Sequence, residues 1–204
     1  MTTVQQIVYT DAPERWRALA AALGFVAPYP PTPEWAEFDG GGVLAVHHAT
    51  GAHPAGGVDL NLLVADLDAA ERALEGRDVT RGVMDGVGEM LTVRAASGLT
   101  VTVFAGARDA ASGEVAVQPI WFQDDVDEAR RILEALGLQA SILAGGGGWA
   151  EMRAPGGGSV GVHSASGRSE GEGQGFGFSF EAVGDLEGLA GGAEGRRIRC
   201  IRHR

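Results

Sequence analysis

The chain has 204 residues, 45% of them apolar, and a formal net charge of -11. That apolar content is enough for a core in one or two domains, and the acidic balance argues against a protein that grips nucleic acid through its phosphates. One cysteine, Cys200, rules out an intrachain disulfide framework and a multi-cysteine zinc site.

No apolar run approaches the roughly 18 residues of a membrane span. The N-terminus "MTTVQQIVYTDAPERW" has no basic stretch followed by an apolar one, so it does not read as a secretion signal. The expectation is a soluble cytoplasmic protein with no nucleic-acid or membrane partner.

In chain order, the first predicted element is the strand in "VQQIVYT", followed by a helix over 12–23. Trp16, Leu19, Ala20 and Leu23 make an i, i+3, i+4, i+7 stripe on that helix, a core-facing pattern. Strands follow at 35–39 and 43–47, each with period two. Ala36, Phe38, Leu44 and Val46 fall on one face, and Trp35, Glu37, Asp39, Val43, Ala45 and His47 on the other. "VDLNLLVADLDAAERALEG" at 58–76 reads as another strand and helix, with Asp59 and Asn61 alternating with Leu60 and Leu62. Strands at 90–94 and 100–104 set Leu91, Val93, Val101 and Val103 against Met90, Thr92, Arg94, Thr100, Thr102 and Phe104. One face is aliphatic and suits packing under a helix; the other is mixed polar and aromatic and suits the wall of a binding site. Glycine runs at 145–148 and 156–158 read as tight turns.

The chain then repeats itself. Residues 4–25 align without gaps on 117–138, an offset of 113 (117 - 4). "WAEFDGGGVLAVHHA" at 35–49 reappears as "WAEMRAPGGGSVGVHSA" at 149–165, ending at His47 and His163. The expected domains are 1–106 and 115–204, joined by a small polar linker at 107–114. A helix over 126–136 carries Val126, Ala129, Leu133 and Leu136. "FGFSFEAVGDLEGLAGGAEG" at 176–195 opens a fourth strand-helix unit, which "RRIRCIRHR" cuts short. An incomplete sheet leaves an open edge, and from that a homodimer is expected.

Strand-helix-strand-strand-strand modules with this "F/W-x-E-F…G-G…L-x-V-H" cadence resemble the vicinal oxygen chelate superfamily, the group of glyoxalases, bleomycin-resistance proteins and extradiol dioxygenases. The resemblance implies an α+β fold: four tandem βαβββ modules, the last truncated, forming U-shaped mixed sheets with helices on the convex face. It also implies a ligand on the concave face. Metal-binding members place a histidine on a module's first strand and a glutamate on its last. Here Gln5, Asp59 and Gln118 stand at the first position, and Ala45, Thr102 and Gly161 at the second. The expectation is therefore no metal and no cofactor.

The implied function is metal-independent binding of a small organic molecule, possible antibiotic sequestration included. The alternative is a glyoxalase-like lyase or isomerase, or a dioxygenase-related enzyme, with His47, Asp59 and Glu37 as acid and base. The expected ligand-binding residues are Trp35, Glu37, His47, Asp59, Asn61, Thr102, Phe104, Trp149, Glu151 and His163. Aromatic rings beside carboxylates suit a planar or cationic ligand.

Overall fold

The computed structural model describes residues 1–108, 113–167 and 174–182. The fold is α+β. Seven strands of the first half form one mixed sheet: β1 (Thr2–Thr10), β2 (Trp35–Gly40), β3 (Gly42–His48), β4 (Val58–Val64), β5 (Asp78–Met84), β6 (Gly88–Arg94) and β7 (Thr100–Ala105), in the order β2-β3-β1-β4-β7-β6-β5. β1 and β4 run antiparallel at its centre. Each has a parallel partner on its outer side, β3 for β1 and β7 for β4. The sheet is thus laid out alike on both sides of the β1–β4 pair. Where β5 closes one side, the other has a single antiparallel bridge between Val26 and Asp39.

Two helices, α1 (Pro13–Ala22) and α2 (Leu67–Ala73), connect the strands. α2 starts where the Asp66 side chain accepts a hydrogen bond from the Ala69 N–H, which satisfies one of the free donors of a helix N-terminus. Pro13 opens α1, where a missing N–H costs nothing. The aliphatic face expected from the period-two pattern is the core. Val4, Val8, Leu44, Val46, Leu60, Leu62, Leu91, Val93, Val101 and Val103 share one buried cluster with Ala20 of α1 and Leu67 and Ala70 of α2.

The second half builds a five-stranded sheet ordered β10-β11-β12-β9-β13 and a two-stranded one, β14-β8. The strands are β8 (Val115–Val117), β9 (Ile120–Gln123), β10 (Gln139–Leu143), β11 (Trp149–Arg153), β12 (Ser159–Ser164), β13 (Gly175–Gly177) and β14 (Phe180–Ala182). The helix α3 (Val126–Ala135) is capped by Asp125 and buries Val126, Ala129, Ile132 and Leu133.

Here the structure departs from the sequence expectation of single strands. The segment matching β1 is divided into β8 and β9 around Gln118-Pro119, and the segment matching β4 into β13 and β14 around Phe178-Ser179. Pro119 has no N–H to give a ladder. The chain bends there, so β8 pairs with β14 while β9 pairs with β12 and β13. The helix expected after β14, the terminal "RRIRCIRHR" and residues 109–112 of the linker lie outside the described residues.

The two halves meet through reciprocal backbone bonds. Gly41 N–H donates to Val115 O at 3.3 Å and Val117 N–H to Gly41 O at 2.7 Å. In return Gly156 N–H donates to Thr2 O at 2.7 Å and Val4 N–H to Gly157 O at 3.0 Å. Val115 and Val117 are Thr2 and Val4 shifted by 113, so the contact is the same joint made twice. The glycine run at 156–158 is therefore more than a turn: it forms half of the joint between the repeats. No helix among the described residues is long and apolar enough to cross a membrane.

Candidate functional site

The mixed face of the seven-stranded sheet gathers most of the expected residues. Register places Trp35 opposite His47, His47 beside Tyr9, Ile7 opposite Asp59, Gln5 opposite Asn61, and Asn61 beside Thr102. Phe104 lies on the same face but packs with Val43, Leu63 and Met90. It is part of an apolar floor there.

At one end of the face, aromatic rings form a row. The Trp35 and His47 centroids are 5.6 Å apart and near perpendicular. His47 is 5.4 Å from Tyr9. Tyr9 stacks on His53 at 4.6 Å. His53 lies in the exposed loop between β3 and β4 and reaches the row through this stack. Ile7, Tyr9 and Ala45 are buried beneath Trp35.

His47 Nδ1 faces the carbonyl of His48, and His163 Nδ1 faces that of Ser164 at 2.7 Å. A carbonyl only accepts, so Nδ1 carries the proton and Nε2 presents the lone pair of the neutral ring. Both histidines are set up in the same way by their own backbone.

Tyr9 was not singled out from the sequence. It is 7% exposed, and its hydroxyl donates to Asp59 Oδ2 at 2.7 Å. Burial, then the hydrogen bond to Asp59, push the phenol well above its ordinary range. A raised pKa in the folded state means stability is present in full below the unfolded value, near pH 10, and falls as pH rises beyond it. Tyr9→Phe is expected to flatten that alkaline decline, which melting temperatures measured across the alkaline limb will show.

The centre of the face is a hydrogen-bonded chain. Asn61 Nδ2 donates to Gln5 Oε1 at 3.0 Å, and Gln5 Nε2 to Glu37 Oε1 at 2.8 Å. Arg108 donates to the other Glu37 oxygen and, at 2.6 Å, to Asp39 Oδ1. Its backbone is fastened to Thr3 Oγ1, which donates to Arg108 O at 2.7 Å and accepts from Arg108 N–H at 3.1 Å. Burial works against the Arg108 charge, but Glu37 and Asp39 outweigh it and raise its pKa. The sequence assigned Arg108 to a linker. The structure puts it on the face, with both Glu37 oxygens engaged.

The second half repeats part of this. Trp149 and His163 are cross-strand partners, 5.7 Å between rings, with Phe122 against His163 at 5.5 Å. Glu151 accepts from Ser141 Oγ at 2.6 Å and Gln118 Nε2 at 3.4 Å, and pairs with Arg153 at 2.8 Å. Trp149, Glu151 and His163 thus form a separate group on the second sheet. Two surface depressions of about 510 Å³ lie elsewhere, one at Asp124–Asp127, Gly146–Gly148 and Ser164, the other along Asp68–Val79.

The divalent metal that the resemblance brings with it does not fit these residues. Ala45 is wholly buried under the Trp35 group. A Cβ on Gly161 would meet the Trp149 ring at 2.4 Å and Ile120 at 2.6 Å. Gln5 turns an N–H, not an oxygen, toward Glu37. Among the described residues no three His, Cys, Asp or Glu side chains come together as ligands. Gly161→Glu is accordingly expected to lower the melting temperature without creating manganese binding, as titration calorimetry will read.

No protein-family model and no curated protein matches the sequence. Solved structures do match it. The chain is similar to an extradiol ring-cleaving dioxygenase from B. fuscum, with a TM-score of 0.51 and 17% identity over 79% of this chain and 52% of that one. It is likewise similar to homoprotocatechuate 2,3-dioxygenase from Brevibacterium fuscum complexed with 3,4-dihydroxyphenylacetate, with a TM-score of 0.50 and 16% identity over 79% and 59%. These matches fit the vicinal oxygen chelate fold. The chain spans about half the length of these dioxygenases.

Proposed function

We propose that the chain is a dioxygenase-related protein whose first sheet binds a small, flat organic molecule along the Trp35–His47–Tyr9–His53 row. The observation that carries this is the row itself, with His47 Nε2 free to accept and Asp59 fixed beside it by Tyr9. Flat rings offer contact area at low entropic cost, and one oriented acceptor fixes the ligand's pose. Asn61 and Thr102 extend the wall; Glu37 serves it indirectly, because both its oxygens are engaged.

Two versions of this reading differ in chemistry. In the first the protein binds and sequesters without a metal, as bleomycin-resistance proteins of this superfamily do. The donor set supports it, since the positions where the resemblance expects ligands hold Gln5, Gln118, Ala45, Thr102 and Gly161, and the remaining one, Asp59, is engaged by the Tyr9 hydroxyl. In the second it is an enzyme, with His47 taking a proton at Nε2 and Asp59 acting through Tyr9. The solved structures lie nearer this second version, being ring-cleaving dioxygenases, one of them with a small organic substrate bound. The division into 1–106, 107–114 and 115–204, the four βαβββ modules with a truncated fourth, the cytoplasmic location and a homodimer belong to the same proposal. The first is supported by the joint made twice.

A thermal-shift screen of antibiotics and aromatic metabolites tests the common part. A binder raises the melting temperature by mass action, and Trp35→Ala is expected to abolish the shift. A shift that survives Trp35→Ala removes the row as the site. Turnover lost in His47→Ala with binding retained selects the enzyme.

A further inference from the structure

The disagreement between these residues and a metal centre has a pattern. Glu37 and Glu151 are repeat equivalents (151 - 37 = 114), as are Gln5 and Gln118 (118 - 5 = 113). In each half the glutamine donates to the buried glutamate, and in each half a guanidinium holds that glutamate too. Yet the arginines are not equivalents. Arg108 comes from beyond β7, whereas Arg153 sits on β11 itself, at the repeat position of Asp39 (153 - 39 = 114). What both halves retain is a positive charge beside this glutamate, reached by two routes.

The second carboxylate is recruited independently as well. In the first half it is Asp39, two residues along β2 and so on the same face. In the second it is Glu181 of β14, which accepts from Arg153. In the first half the planar fork spans both carboxylates, Nη1 to Asp39 and Nη2 to Glu37, a geometry that suits a guanidinium better than the point charge of an ammonium; in the second, Nη2 of Arg153 meets both Glu151 and Glu181. Neutral amides orient the glutamate without adding charge: Asn61 and Gln5 in one half, Gln118 in the other.

We propose that each half keeps a cation site built for a guanidinium or amidinium group, which the chain fills with its own arginine where the resemblance expects a metal ion. The first site is Glu37 and Asp39 oriented by Gln5; the second is Glu151 and Glu181 oriented by Gln118. Emptied of its arginine, each accepts a small planar cation from solution in preference to an ammonium or a divalent metal. The first site lies beside the aromatic row, joined to Trp35 through the Tyr29 hydroxyl, but it holds none of the row's rings, and failure of either site leaves that reading untouched.

Thermal melting of Arg108→Ala and Arg153→Ala tests this, in methylguanidinium, methylammonium and manganese chloride at matched ionic strength. The unmutated chain in the same salts is the reference. Arg108→Ala is expected to melt lower, and methylguanidinium to return at least half of the loss while the other two do not. Where Arg108→Ala fails to fold, Arg153→Ala carries the same comparison, since Arg153 is about half exposed. An unchanged Arg108→Ala melting temperature overturns the proposal. So does methylguanidinium performing no better than methylammonium, manganese performing better than both, or failure of both variants to fold in all three salts.

Discussion

Gly42→Ala is expected to destabilise the protein by about 2–4 kcal/mol, one of the two largest losses expected from a single substitution. Gly42 has φ +86, a left-handed conformation that costs an L side chain about 1 kcal/mol or more. Its new Cβ would also stand 2.5 Å from Val117 Cγ2 and 3.0 Å from both Gly158 Cα and Val4 O. Two of these three contacts are backbone, which cannot swing aside, so overpacking adds about 1–3 kcal/mol. Gly24 supplies the control. It has φ +80, yet nothing lies within 4 Å of its added Cβ. Gly24→Ala should therefore show the conformational cost alone. For a chain of this size 1 kcal/mol is about 2–4 °C, so Gly42→Ala should melt about 4 °C or more below the unmutated protein, and clearly below Gly24→Ala. Equal melting temperatures for the two variants would mean that the joint between the repeats is not tight.

The sharing of faces was legible because strand periodicity is a local property. Leu44 and Val46 alternate with Ala45 and His47, and the pleat alone sends them to opposite sides. Hence the wall of Trp35, His47, Asp59, Asn61 and Thr102 could be written down from the pattern. Three features could not be. Arg108 lies in a stretch that reads as a linker, and only the closed sheet brings it to a glutamate 71 residues earlier in the chain. Tyr9 is one apolar-looking residue in a buried strand; its pairing with Asp59 depends on the β1–β4 register. The breaks at Gln118 and Ser179 come from strands that serve two sheets. Pro119 was the available signal for the first of these, and a gapless repeat alignment passes over it.

Arg108→Ala is the second variant expected to cost heavily. Glu37 is 8% exposed, and removing its guanidinium leaves a buried carboxylate with neutral donors, the Gln5 amide and the Tyr29 hydroxyl. Breaking a buried ion pair from one side costs about 3–5 kcal/mol when both groups are fully enclosed. Arg108 keeps 27% of its side-chain surface in solvent and Asp39 keeps 29%, so water screens part of the loss and about 2–3 kcal/mol is expected. The same argument fixes the sign of the compensating change. Glu37→Gln in the Arg108→Ala background removes the uncompensated charge while leaving an amide that can still meet Gln5. The double variant should therefore be more stable than Arg108→Ala alone, although Glu37→Gln by itself is destabilising. A double-mutant cycle from urea unfolding of the four proteins reads this directly as a coupling energy. Additive losses would show that Arg108 acts through Asp39 and its packed stem and not through Glu37, since Arg108→Ala keeps both backbone bonds to Thr3. In that case Arg108→Lys, which keeps a charge for Asp39 and most of the stem and loses the fork, should be near neutral. With the fork in use, Arg108→Lys falls between the unmutated protein and Arg108→Ala, because an ammonium can satisfy Glu37 or Asp39 but does not span both in the guanidinium's plane.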